Sequence, residues 1–110
     1  MAQTSTQSVG PASMNNGIAV GAFIDTGTVA ATAFTLGFKP RYVRIVNETS
    51  GDMEEWFEGM ADAEAMKRVA AGTAALITSN GITPAANGFT LGLDTDILVT
   101  SEQLSWLAMA

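Results

Sequence analysis

The chain has 110 residues, 11 acidic against 5 basic, with no cysteine and no histidine. That excludes a disulfide scaffold, thiol or imidazole catalysis, and thiolate or imidazole metal sites. Charged residues are only 15% of the chain, against about 25% in typical soluble domains, while hydrophobic residues reach 47%.

The length suits one domain with one core. So little charge leaves much of the surface neutral, which suits a subunit covered by neighbours, and a homo-oligomer or larger assembly is expected. The net charge of −6 argues against nucleic acid, whose phosphates need a dense basic patch. Lys39, Arg41 and Arg44 lie close together, but strand alternation puts Arg44 on the opposite face from the other two.

Residues 1–16 are small and polar, without periodicity, and read as a flexible N-terminal arm with no secretory signal. Residues 17–110 are expected to form a single β domain. Its first strand, 17–25, places Ile18, Val20 and Ala22 on one side and Ala19 and Phe23 on the other. Residues 29–34 have weak strand character, and the chain bends at 37–40, where Pro40 restricts Lys39. The run 18–24 is too short and isolated to span a bilayer, and no membrane partner is expected.

Residues 41–48 (RYVRIVNE) and 53–60 (MEEWFEGM) read as two strands around a turn at 49–52, and this hairpin is the expected seed of the core. Val43 and Ile45 share one face; Tyr42 and Val46 share the other. Residues 61–72 carry helix signals: Asp62 and Glu64 early, Lys67 and Arg68 late, Gly72 at the end. Residues 66–70 can also pair back onto 53–60 as a hairpin, and the strand is the favoured reading.

Residues 73–84 hold Asn80-Gly81 between short apolar runs, a hairpin signal. Residues 89–100 and 104–110 then read as two strands joined at 101–103. The last is apolar on both faces and is expected inside the sheet or at an interface.

Phe34-Thr35-Leu36-Gly37 recurs as Phe89-Thr90-Leu91-Gly92. The echo suggests two matching halves and two packed sheets. The expected fold class is therefore all-β, a small two-sheet β-sandwich or jelly-roll-like domain. The expected core or interface residues are Phe34, Leu36, Phe38, Tyr42, Val43, Ile45, Trp56, Phe57, Phe89, Leu91, Trp106 and Leu107.

Chemistry is harder to find. Asp52, Glu54, Glu55, Glu58, Asp62 and Glu64 form an acidic cluster, and Glu54 and Glu58 would share a strand face, but no calcium-loop spacing is present. Asp94 and Asp96 lack further ligands nearby. Lys39 and Lys67 stand in no nucleophile motif, and no nucleotide-binding glycine loop occurs. No enzyme, no cofactor and no metal are expected. Trp56, Phe57 and Trp106 could stack on a sugar or base, though core packing is the commoner use of such residues.

The run from Gly37 to Asn47 (GFKPRYVRIVN), followed by Trp56-Phe57-Glu58-Gly59-Met60, resembles small structural proteins from the virion gene clusters of tailed bacteriophages. The segments Gly88-Phe89-Thr90-Leu91-Gly92 and Ser105-Trp106-Leu107-Ala108 are similar to the last strands of phage virion β domains. The resemblance covers residues 28–110. It implies a capsid decoration (cement) protein on the capsid exterior, synthesised in the host cytoplasm. Its implied partner is the major capsid protein, its implied state a homo-oligomer, most simply a trimer. The alternative is a tail, fibre or baseplate module that binds a host receptor.

Overall fold

The structure is a computed structural model that describes residues 5–9 and 17–110, and in 5–9 the backbone only. It is all-β. Among the described residues, nine strands form one antiparallel sheet: β1 (Ser5–Val9), β2 (Ile18–Asp25), β3 (Thr32–Thr35), β4 (Tyr42–Asn47), β5 (Met53–Phe57), β6 (Glu64–Arg68), β7 (Ala74–Ala85), β8 (Gly88–Leu91) and β9 (Gln103–Met109). Their order across the sheet is β1-β2-β9-β4-β5-β6-β7-β8-β3. Of the expected N-terminal arm, Ser5–Val9 is paired with β2; residues 1–4 and 10–16 lie outside the described residues.

The expected seed lies near the middle. β4 pairs with β5, Val43 opposite Trp56, and with β9, Ile45 opposite Trp106. The C-terminal strand is thus interior, held between β2 and β4, as its two apolar faces suggested. Residues 64–68 form a strand that pairs with β5, so tertiary pairing overrides the local helix signals.

The sheet curls until its β8-β3 end lies over β2 and β9. Four rings fix this closure: Phe34 stacks on Phe89 at 4.8 Å and meets Phe23 and Trp106 edge-on at 5.3 and 5.7 Å. Phe89 also meets Trp106 at 5.8 Å. Such pairs add about 0.5–1.5 kcal/mol beyond the burial of their area. The two copies of the Phe-Thr-Leu-Gly echo turn out to be neighbours, β3 against β8 with Phe34 opposite Phe89. One continuous hydrogen-bonded ladder runs through all the strands, so the halves are not separate sheets.

Two expected elements are corrected. Asn80-Gly81 is not a hairpin turn; β7 runs through it. Pairing with β6 jumps from Ala65–Ile77 to Glu64–Ile82, so residues 78–81 bulge out of register. Asn80 takes the left-handed φ of 60°, and a side chain on Gly81 would lie 2.5 Å from the Glu64 carbonyl. The turn chemistry is used, but in a bulge.

The strand expected over 89–100 stops at Leu91. Asp94 then turns the chain: its carbonyl accepts from the amides of Ile97 and Leu98, at 3.1 and 2.9 Å. Ile97 and Leu98 are buried and close one end of the core. Asn47, also buried, pins this loop. Its Nδ2 donates to the Ile97 carbonyl (3.0 Å) and Glu102 (2.8 Å), and its Oδ1 accepts from the amides of Thr49 and Ser50.

Candidate interaction surface

Alternation along the strands divides the expected core or interface residues between two faces. Phe34, Leu36, Val43, Ile45, Trp56, Phe89, Leu91 and Trp106 point inward and are buried, and Phe38 packs partly against them. Tyr42, Phe57 and Leu107 point outward. Burial of both Trp56 and Trp106, at 4% exposure, removes them from any stacking platform on the surface.

The outward residues line up in rows across the ladder. One row runs Ile18, Met109, Tyr42, Phe57 over β2, β9, β4 and β5. The next runs Val20, Leu107, Arg44, Glu55, Met66, Leu76 over β2, β9, β4, β5, β6 and β7. Ile18, Val20, Phe57, Met66, Leu76 and Met109 are all among the exposed large hydrophobic residues. The first row carries Ile18, Met109, Tyr42 and Phe57 side by side. In the second, Arg44 and Glu55 separate Val20 and Leu107 from Met66 and Leu76, so the apolar side chains form a larger patch over β2, β9, β4 and β5 and a smaller one over β6 and β7.

Polar groups order the patch. The Tyr42 hydroxyl donates to Glu55 at 2.6 Å, and its ring packs on Phe57 at 5.1 Å. Partial burial, then that bond and the Glu55 charge, push the phenol up to about 12, so it stays a donor at any ordinary pH. Arg41 pairs with Glu58 at 3.0 Å at the margin, where both are well exposed.

A second cluster lies on the inner side of β5 and β6. Lys67 bonds Asp94 at 2.8 Å and Asp96 at 2.6 Å. Partial burial pulls its ammonium down, but the two aspartates outweigh that and hold it above its usual value. Glu54, opposite Lys67 in the ladder, is wholly buried, and neither carboxyl oxygen has a hydrogen-bond partner among the described residues. Burial and then the Asp94 charge push it up to about 8, against the pull of Lys67, so it is mainly protonated at neutral pH.

Glu58 does not join Glu54, because β5 ends at Phe57 and Glu58 turns outward to Arg41. Asp94 and Asp96 are taken by an ammonium. Among the described residues, no group of three or more acidic side chains is placed to hold a metal ion. The buried Glu54 had one sequence signal: it stands two residues before Trp56, on the same strand face.

A shallow hollow of about 130 Å³ lies at the β3–β8 end, lined by Ala33, Thr35, Asn87 and Thr90 among others. It holds no titratable side chain. Among the described residues, no helix is long and apolar enough to cross a membrane. Comparison with protein-family models, curated proteins and solved structures returned no match.

Proposed function

We propose that this chain is a virion structural protein of a tailed bacteriophage, a capsid decoration (cement) protein. In this reading it binds the capsid exterior, bridges major capsid subunits and stabilises the head without catalysis or cofactor. On the same reading the curled sheet, whose β8-β3 end lies over β2 and β9, serves as a small sandwich- or jelly-roll-like body.

The observation that carries the reading is the outward apolar patch of Ile18, Val20, Leu107, Met109, Tyr42 and Phe57, with Met66 and Leu76 forming a second one beyond Arg44 and Glu55. Exposed apolar area of this extent suits a surface that a partner covers. The chain is acidic, which disfavours contact with the DNA inside a head and suits its outside. The resemblance of residues 37–47 and 56–60 to phage virion proteins points the same way.

The test is binding of the purified protein to tailed-phage heads stripped of decoration. Wild type should bind and protect heads from heat or low salt. Phe57→Asp and Val20→Asp should fold as wild type and lose most of that binding. Wild-type protein that ignores heads and coats host cells would overturn the reading in favour of a receptor-binding tail module.

A further inference from the structure

The charges of this chain are unevenly placed. Most lie in 39–68, the centre of the sheet, and residues 69–93 hold no Asp, Glu, Lys or Arg. β7 begins inside that uncharged stretch. Its second half, Ile82 to Ala85, pairs with β8, but its first half pairs with β6 alone. Among the described residues, nothing pairs with the other edge of 74–79. Past it, Gly92 covers Asn80 so closely that a side chain on Gly92 would lie 2.6 Å from the Asn80 backbone.

Natural edge strands are usually blunted by a lysine, a proline, a bulge or shortness. The edge at 74–79 has no charge and no proline, and it runs in register from 74 to 77 before the bulge begins at Thr78. Ala74, Ala75 and Leu76 are exposed, Leu76 at 51%. Four residues of this edge, 74–77, are held in register by β6, as many as the edge strand β3 has. The unused backbone donors and acceptors of this segment call for another strand of similar length and no charge.

We infer that this edge pairs antiparallel with the same edge of a second copy, about a two-fold axis perpendicular to the sheet. Three features select the second copy. It is a partner of the same acidic net charge, and this uncharged segment lets two such molecules approach without opposing like charges. It brings a free edge of matching length. The two-fold also keeps outer face with outer face, which sets Leu76 opposite its own counterpart and Ala74 opposite Thr78 of the second copy. The outward row that ends Met66, Leu76 then continues as Leu76, Met66 across the joint, and the smaller apolar patch doubles in width.

This pairing goes beyond the proposed function and does not depend on it. It also replaces the trimer implied by the sequence resemblance with a two-fold pair.

Because the chain has no cysteine, single-cysteine variants test the register cleanly. Directly opposite antiparallel residues have Cα atoms about 4.5–5.5 Å apart, inside the disulfide range of about 4.4–6.8 Å. Under mild oxidation, Leu76→Cys should cross-link to a covalent dimer. Thr78→Cys alone should form no cross-link, and mixed with Ala74→Cys it should give the covalent heterodimer. Sedimentation should show wild type at the mass of two chains. Leu76→Lys, with an unchanged circular dichroism spectrum, should raise the dissociation constant about tenfold or more.

A wild-type mass of one chain or of three overturns the inference. So does cross-linking by Val20→Cys in place of Leu76→Cys. All these measurements use the isolated protein, so their failure would leave the head-binding test untouched.

Discussion

The two faces of this sheet are built from nearly the same kinds of residue and meet different fates. On β9, Leu104, Trp106 and Ala108 are buried, while Leu107 and Met109 between and after them stand on the outside. On β4, Val43 and Ile45 are buried and Tyr42 and Val46 lie outward, half covered. Inward residues are covered by a second layer because the sheet curls; outward ones, among the described residues, meet only neighbours on their own face, as Tyr42 meets Glu55 and Phe57. Hydrophobicity alone therefore does not mark the core. What marks it is whether the fold brings a second layer over that face.

The comparison breaks most sharply under truncation. Phe89→Ala, at the stacked centre of the inner face, should cost about 3–5 kcal/mol in urea unfolding. Phe57→Ala, on the outer face, should stay within about 0.5 kcal/mol in the isolated chain. Equal costs would mean that the outer face is also packed.

The next effect comes from the charge hidden on the inner side. Glu54 keeps a proton in the folded state up to pH of about 8, whereas unfolded it releases that proton near 4.5. The folded state therefore binds more protons between those values, and stability falls as pH rises. The contribution is fully present below about 4.5 and lost above about 8, with a slope near 1.4 kcal/mol per pH unit in between at most. Urea unfolding across this window should show the fall, and Glu54→Gln should flatten it. A wild-type profile as flat as the variant's would place Glu54 in contact with water.

Smaller again is Lys67→Met, which strands the mostly buried Asp94 without its ammonium. It should cost about 2 kcal/mol, measured the same way, and Asp94→Asn in that background should recover part. Smallest is Arg41→Ala at the exposed Arg41–Glu58 pair, expected at about 0.5 kcal/mol or less and smaller still in high salt.

Much of this was legible before the structure. Alternation in 17–25, 41–48 and 104–110 let those strands be read directly, but both of their faces carry apolar residues, so which set points inward could not be: on β2, Ile18 and Val20 face out while Ala19 and Phe23 are buried. Residues 61–72 were ambiguous because alanines serve either element, and only the pairing with β5 decides.

Asn80-Gly81 misled because its left-handed conformation serves a bulge as well as a hairpin, and the choice rests on β6, distant in sequence. Residues 93–100 look like a strand by composition, yet the Asp94 turn drives Ile97 and Leu98 into the core end-on. The outer patch could be anticipated as a surplus of apolar residues. Its layout could not, because it depends on register across four strands in one row and six in the other.

The most direct measurement of the central claim is hydroxyl-radical footprinting of the protein free and bound to phage heads. Phe57, Met66 and Met109 should oxidise readily in the free chain and be protected several-fold in the particle, while buried Trp106 stays protected in both. Equal oxidation of the three outward residues in the two states would contradict a face made to be covered.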